Sequence, residues 1–219
     1  MKFALVTAHN EAYQPLADIT WNKNKKLYAQ KWGYDAYEVT EGFDSVEDIP
    51  WTRARKIIEL LESGQYDWVH AVGCDTMITN FNICLNDIVD NNSDFIIATD
   101  CFNINNDSFL ARNTKNCIDW LKHLDSLQYN YCSKHPWNDQ QCMIDNIERL
   151  GNGLKIVPQR LINSYDYNQY PGSVPHVYKR DIFGNDGQWQ PGDFLIQWPG
   201  IPNNRRIPLA QQMLTQIIQ

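Results

Sequence analysis

Tyr66-Asp-Trp-Val-His-Ala-Val72, closing on Gly73-Cys74-Asp75, is an apolar run that stops at a polar turn. A short apolar run without polar alternation marks a strand buried on both faces, as in a parallel sheet covered by helices. The same design recurs on either side. Phe3-Ala-Leu-Val-Thr-Ala8 leads into His9-Asn10-Glu11, and Asp94-Phe-Ile-Ile-Ala98 leads into Thr99-Asp100. Between these runs lie segments of helical spacing: Asp18 to Trp32, stopped by Gly33, and Trp51 to Glu62, preceded by Pro50 and stopped by Ser63-Gly64. Tyr34 to Thr40 alternates like a further strand; Phe109 to Ala111 and Lys155 to Val157 read as short ones. Asn116 to Leu127, Asp139 to Leu150 and the tail from Pro208 to Gln219 read as helices. Strands alternating with helices predict an α/β fold, a mostly parallel mixed sheet flanked by helices.

At 219 residues the chain suits a single domain spanning 1–219. Residues 163–206, rich in Pro, Gly, Asn and Tyr, have little periodicity. They read as a long loop region closing over a site. A net charge of −7 argues against a broad nucleic-acid surface, so an anionic ligand must meet a local site. No apolar run is long enough to span a membrane, and Met1-Lys2 enters the first strand without a signal-peptide pattern. The 6 cysteines form no CxxC pair, so reduced thiols and a cytoplasmic location are expected. His9, His70, His123, His135 and His176 show no pair at metal-ligand spacing, and His70 reads as a core residue.

In open α/β sheets, ligands bind outside the carboxyl ends of the strands. Three polar clusters fall there: Thr7 to Asn10, Gly73 to Thr76 and Thr99 to Asn106. Neither a dinucleotide or P-loop glycine pattern nor a Gly-x-Ser-x-Gly elbow is present, which disfavours those nucleotide sites and a hydrolase triad.

Four ordered blocks narrow the class. Trp51-Thr-Arg53 with Tyr66 to Asn80 resembles the metal-site segment of glycosyltransferase family 34, the galactosyl-, mannosyl- and xylosyltransferases. Asp100-Cys-Phe-Asn-Ile-Asn-Asn-Asp-Ser-Phe-Leu-Ala-Arg-Asn113 is similar to its Asp…Asn-x-Gly…Phe…Arg-Asn block, with Asp107 in place of the family's glycine. Pro136-Trp-Asn-Asp-Gln140 resembles an acidic-Gln pair before a helix, and Gly192-Asp-Phe-Leu-Ile-Gln-Trp-Pro-Gly200 a late Gly-Asp-Phe-x-x-His-x-x-Gly motif. The short build is also similar to versions encoded by large algal viruses. The resemblance implies the GT-A fold, a nucleotide-sugar donor (a UDP-sugar), a glycan acceptor, retention of anomeric configuration and a divalent cation, Mn²⁺ or Mg²⁺.

Carried over residue by residue, the resemblance assigns metal ligation to Asp75 and Gln197. The family's first carboxylate is Gly73 here, and its histidine is the neutral amide Gln197. One anionic side chain holds a free ion poorly, so the cation is expected to bind together with the donor. Asp139 and Gln140 are assigned to the reacting sugar carbon, Asp100 and Asn105 to donor hydroxyls, and Thr7 and Ala8 to the base. Arg53 is assigned to base or phosphate and Arg205 to the diphosphate, with Cys74 beside them in the donor triplet. Each has a plainer reading. Asp75 and Asp139 suit turn or helix caps, Gln197 a buried amide, Cys74 a small core residue, Arg53 a solvated helix position and Arg205-Arg206 a solvated turn. Trp137, Trp189 and Trp198 suit a core as well as an acceptor platform. Two rival functions follow from the departures: a degenerate nucleotide- or glycan-binding protein, and a metal-independent transferase in which Arg205 replaces the cation. A nucleotidyltransferase would want a second acidic residue near Asp75.

Overall fold

The computed structural model describes residues 1–129, 132–170 and 179–219. His176 and part of the 163–206 segment lie outside the described residues. The strands are β1 (Phe3–Ala8), β2 (Asp35–Val39), β3 (Trp68–Val72), β4 (Thr76–Ile78), β5 (Phe95–Thr99), β6 (Ile104–Arg112), β7 (Leu154–Val157), β8 (Ser164–Tyr165) and β9 (Leu195–Gln197). The helices are α1 (Gln14–Thr20), α2 (Lys26–Trp32), α3 (Ile49–Glu62), α4 (Lys115–Leu127), α5 (Asn138–Asn146), α6 (Gln159–Ile162) and α7 (Asn203–Met213). A 6-stranded sheet runs β2-β1-β3-β6-β5-β7, and a 3-stranded sheet runs β4-β9-β8. In the larger sheet only β6 runs against its neighbours β3 and β5; the other pairings are parallel.

The apolar runs are explained by two cores, one on each face. Leu5, Trp68, Val72, Ile96 and Leu110 face one core, with Leu16, Trp21 and Tyr28 of the first helical stretch and Leu195 and Ile196 of the small sheet. Ala4, Val6, Val69, Ala71, Phe95, Ile97 and Phe109 face the other, with α3 and α4 supplying Ile57, Leu61, Trp120 and Leu121. Alternate residues of each strand therefore enter different cores, which removes any polar face from the sequence pattern. Between α1 and α2 the chain makes a π-helical turn, Trp21–Lys25, which turns Asn24 and Lys25 inward. Asn24 repays this by bonding both the carbonyl and the amide of Ile78.

Several elements differ from the sequence reading. The polar stretch 103–107, read with the polar cluster at a strand end, belongs largely to β6, where its buried amides find side-chain partners. Asn105 bonds Asp100 and Tyr165, and Asn106 bonds Asp139. The last helix starts at Asn203, not Pro208; Pro208 lies inside it, where it forfeits one backbone bond. The helix expected over 139–150 is α5 followed by a tighter 3₁₀ stretch from Ile147 to Gly153. Cys132 and Cys142 form a disulfide, with Cα atoms 5.4 Å apart, where reduced thiols were expected. Among the described residues, no helix is long and apolar enough to cross a membrane.

His70 is a core residue, fully buried on β3, with Nε2 3.0 Å from Ser108 Oγ. Burial, helped by the nearby Lys25 charge, pulls its pKa down to about 3. Below pH 6.5 the unfolded chain therefore takes up a proton that the folded chain refuses. Stability contributed by neutral His70 is lost as pH falls from about 6.5 towards 3, by about 1.4 kcal/mol per pH unit. Denaturant melts of wild type and His70→Gln between pH 6 and 4 are expected to diverge in slope by that amount; parallel profiles would contradict the assignment.

Candidate functional site

The carboxyl ends of β1, β3 and β5 and the start of the reversed β6 meet at one edge of the sheet. A cavity of ≈ 270 Å³ opens there, lined by Ala8, Tyr13, Pro50, Arg53, Gly73, Cys74, Asp75, Asn106, Asp107, Asp139 and Arg206, among others. A second cavity, ≈ 610 Å³, lies beside it and is largely aromatic, with Phe102, Trp137, Tyr165, Tyr167 and Tyr170 around Asp100, Asn105 and Gln140. The two share a wall. Asn106, Asp107 and Asp139 face the first cavity, while Asn105 and Gln140, their chain neighbours, face the second.

Asp75 follows β3 in the turn to β4. Its Oδ2 is 2.7 Å from Arg206 Nη2, an ion pair with side chains only 12% and 9% exposed. Burial, together with the neighbouring Asp107 carboxylate, pushes the Asp75 pKa up to about 6. Beneath the turn, the fully buried Lys25 donates to the Gly73 carbonyl at 2.6 Å, and burial pulls its pKa down to about 8. A charged donor to a buried carbonyl contributes about 1.5–3 kcal/mol. It also places positive charge behind Cys74, Asp75 and Asp107.

Asp107 lies across the ladder from Gly73, whose amide donates to the Asp107 carbonyl at 2.7 Å. A Cβ on residue 73 would meet Asp107 Oδ1 at 3.0 Å and Asp75 Oδ1 at 3.1 Å. The two carboxylates thus flank the space that a side chain at 73 would enter. Gln197, buried on β9, donates through Nε2 to Asp107 Oδ2, and its Oε1 is buried without a hydrogen-bond partner. Carboxylate oxygen and an unsatisfied amide oxygen are the hard donors that Mg²⁺ and Mn²⁺ select, so the residues present fit a divalent cation in kind. Among the described residues, no group of three or more His, Cys, Asp or Glu forms a metal cluster.

Asp139 sits in the first turn of α5, not ahead of it, and its Oδ2 accepts from the Asn106 amide. Burial, only partly offset by the Arg53 charge, raises its pKa to about 6. The preceding Asn138 has φ +41°, a conformation L-residues rarely adopt. It is held by Trp51 Nε1 donating to its Oδ1 at 2.9 Å and by its own Nδ2 on the Glu47 carbonyl at 2.7 Å. This clamp to α3 and the turn before it fixes where α5 starts, and hence where Asp139 and Gln140 point.

The other residues singled out in the sequence fall as follows. Ala8, Arg53 and Cys74 line the first cavity; Thr7 is fully buried behind Ala8, its hydroxyl without a partner. Arg53 donates to the Asn106 carbonyl at 3.0 Å, so it is a buried cavity-wall residue and not a solvated one. Burial pushes the Cys74 thiol up to about 12, so it is not a thiolate. Asp100 is buried and holds its own loop, accepting from the amides of Phe102 and Asn103 and from Tyr165 OH. Asn105 is bonded to Asp100, Tyr165 and Asn163. Arg205 is exposed and turns to the Gln169 carbonyl at 2.7 Å; its neighbour Arg206 is the one that enters the cavity. Of the three tryptophans, Trp137 lines the second cavity, Trp198 is core, and Trp189 donates to Thr79 Oγ1.

Lys25 had no place in the sequence reading, Asp107 appeared there only as a departure from the family's glycine, and Arg206 only as part of a solvated turn. Lys25 stands four residues after Trp21 and three before Tyr28, both core residues, so its inward face was written in the spacing. Asp107 and Gly73 are two departures, one carboxylate lost and one gained, that only the strand pairing brings together.

A parallel sheet with one reversed strand, and a polar crevice at its carboxyl edge, is the architecture of a GT-A glycosyltransferase. A glycosyltransferase involved in glycosylation of the major capsid of PBCV-1 superposes with TM-score 0.75 at 13% identity, covering 97% of this chain and 100% of that one. The glycosyltransferase GlyE of Streptococcus pneumoniae TIGR4 matches with TM-score 0.62 at 14% identity, over 97% of this chain and 61% of its own. The galactosyltransferase LgtC, solved with donor and acceptor sugar analogs, gives 0.52 at 12%, over 99% and 96%. No curated protein sequence matches the chain. The chain belongs to the galactosyl transferase GMA12/MNN10 family, glycosyltransferase family 34, whose model matches residues 88–206. The matched span includes Asp100, Asn105, Asp107, Asp139, Gln140 and Gln197; the Gly73-Cys74-Asp75 triplet lies before it.

Proposed function

We propose that this glycosyltransferase moves a sugar from a UDP-sugar to a glycan acceptor with retention of configuration. The observation that carries the reading is the shared wall: two consecutive residues of α5, Asp139 and Gln140, face two different cavities. Reactants held on either side meet at that step of the helix. The first cavity suits a nucleoside diphosphate, because Arg53 and Arg206 line it and Lys25 lies beneath. Guanidinium forks match phosphate oxygens, and their charge offsets the negative charge that grows on a diphosphate leaving group. Ala8 at the end of β1 leaves room for the base. The second cavity suits a glycan, since aromatic faces stack on the apolar faces of sugar rings while Asp100 and Gln140 offer hydroxyl partners.

In the transfer step, an ionised Asp139 beside the sugar carbon stabilises the positive charge that develops there. Gln140 orients the acceptor hydroxyl towards the face from which the diphosphate departs. The acceptor oxygen bonds the sugar carbon as the bond from that carbon to the phosphate oxygen breaks, and the hydroxyl proton passes to the leaving phosphate oxygen. Asp75 and Gln197 would hold a divalent cation, which would supply further neutralisation of the diphosphate. A second reading is favoured by the Arg206–Asp75 ion pair, which places a resident cation where the metal is expected. In that reading Arg206, and not Arg205, takes over the neutralising role and transfer proceeds without metal.

Release of UDP from a panel of UDP-sugars, followed with glycan acceptors in Mn²⁺ and in EDTA, tests both. Acceptor-stimulated release that needs Mn²⁺ is the expected result. Release unchanged by EDTA selects the Arg206 version, and absence of release despite UDP binding overturns the transferase reading.

A further inference from the structure

We propose that Asp107 supplies the carboxylate missing at position 73, so that the cation site is built from Asp75, Asp107 and the Gln197 amide across two strands. The inference rests on the nucleotide-sugar reading above and names the ligands of that same site. Three independent observations carry it. The first is register. Gly73 and Asp107 are bonded neighbours on antiparallel strands, with the Gly73 amide on the Asp107 carbonyl at 2.7 Å. Side chains opposite one another in such a ladder share the same few ångströms of space. The second is occupancy: a Cβ at 73 would stand 3.0 Å from Asp107 Oδ1 and 3.1 Å from Asp75 Oδ1. The Asp107 and Asp75 carboxylates both stand against the point from which a residue-73 side chain would extend. The third is the amide of Gln197, fully buried, which touches Asp107 through Nε2 while its Oε1 has no partner. A buried acceptor left unsatisfied on an amide that touches the Asp107 carboxylate is a position that a cation would complete.

The electrostatics explain why the substitution is paired. Acidic residues at 73, 75 and 107 together would crowd three negative charges around the Gly73 amide, with Lys25 and Arg206 as the positive groups beside them. Moving the carboxylate to 107 and leaving glycine at 73 keeps the charge and removes the clash. Gly73→Asp alone is therefore expected not to tighten metal binding, because the new Cβ already meets Asp107.

The test is Mn²⁺ binding, read from the electron paramagnetic resonance signal of free Mn²⁺ in the presence of UDP, with UDP affinity measured separately without metal. Asp107→Asn and Asp107→Gly are each expected to weaken Mn²⁺ binding about tenfold or more. Gly73→Asp/Asp107→Gly, which returns the carboxylate to the other strand, is expected to recover most of that loss. Circular dichroism confirms that each variant is folded, and recovery in the double variant cannot come from misfolding. The proposal is overturned if Asp107→Asn binds Mn²⁺ as wild type does, or if the double variant binds no better than Asp107→Gly. It is also overturned if wild type with UDP leaves the Mn²⁺ signal unchanged; UDP binding without metal then leaves the transferase reading standing. Loss of UDP binding itself removes both.

Discussion

Asp75→Asn is expected to weaken Mn²⁺-dependent UDP binding by about a hundredfold, while UDP binding in EDTA changes little. The reason is charge. Asp75 is the acidic residue of the β3–β4 turn, its carboxylate is nearly enclosed, and an asparagine of the same shape offers a neutral oxygen only. The substitution has a second consequence. Arg206 Nη2 loses the carboxylate at 2.7 Å, and leaving a buried guanidinium short of its partner costs about 3–5 kcal/mol of stability. Asp75→Asn/Arg206→Gln removes both charges together and is expected to regain stability without regaining metal-dependent affinity. Calorimetric titration of UDP with and without Mn²⁺, beside thermal melts of wild type and the two variants, separates the two effects. Unchanged metal-dependent affinity in Asp75→Asn would contradict the assignment.

Asp139→Asn is expected to lower kcat by about 10²–10³-fold and leave UDP affinity within about threefold of wild type. Asp139 lines the wall between the cavities, so in the proposed transfer its charge matters most when the sugar carbon becomes cationic. Asparagine keeps an acceptor for the Asn106 amide, which Oδ2 of Asp139 now accepts, so the helix start is preserved. A fall in donor affinity equal to the fall in kcat/KM would mean that Asp139 binds the ground state and would remove it from the transfer step.

The two-sided burial of β1, β3 and β5 made these strands readable, because a strand enclosed by two cores must be apolar throughout. Asp75, Asp139 and Gln140 were singled out by the family blocks, and the structure brings each to the lining of one of the two cavities. What escaped depended on geometry that a single sequence does not carry. Arg205 and Arg206 differ by one step of α7, about 100° of rotation. With the helix start misplaced at Pro208, nothing in the sequence said which arginine turned inward, and Arg206 does. Asp107 gains meaning only through the antiparallel pairing of β3 with β6, and β6 was read only as its short stretch Phe109 to Ala111 because its polar residues hid its length. Lys25 was hidden by its type: lysine reads as a solvent residue, although its spacing to Trp21 and Tyr28 put it on the core face. The Cys132–Cys142 pair had no marker beyond a separation of 10 residues, which fits a disulfide no better than many other spacings.

The most direct measurement is a crystal structure of the protein soaked with UDP and Mn²⁺, with diffraction recorded at the manganese absorption edge. The uracil end is expected beside Ala8, the diphosphate between Arg53 and Arg206, and the anomalous peak against Asp75 and Asp107. A nucleotide bound elsewhere, with the cavity at the carboxyl edge of β1 and β3 left empty, would contradict that expectation.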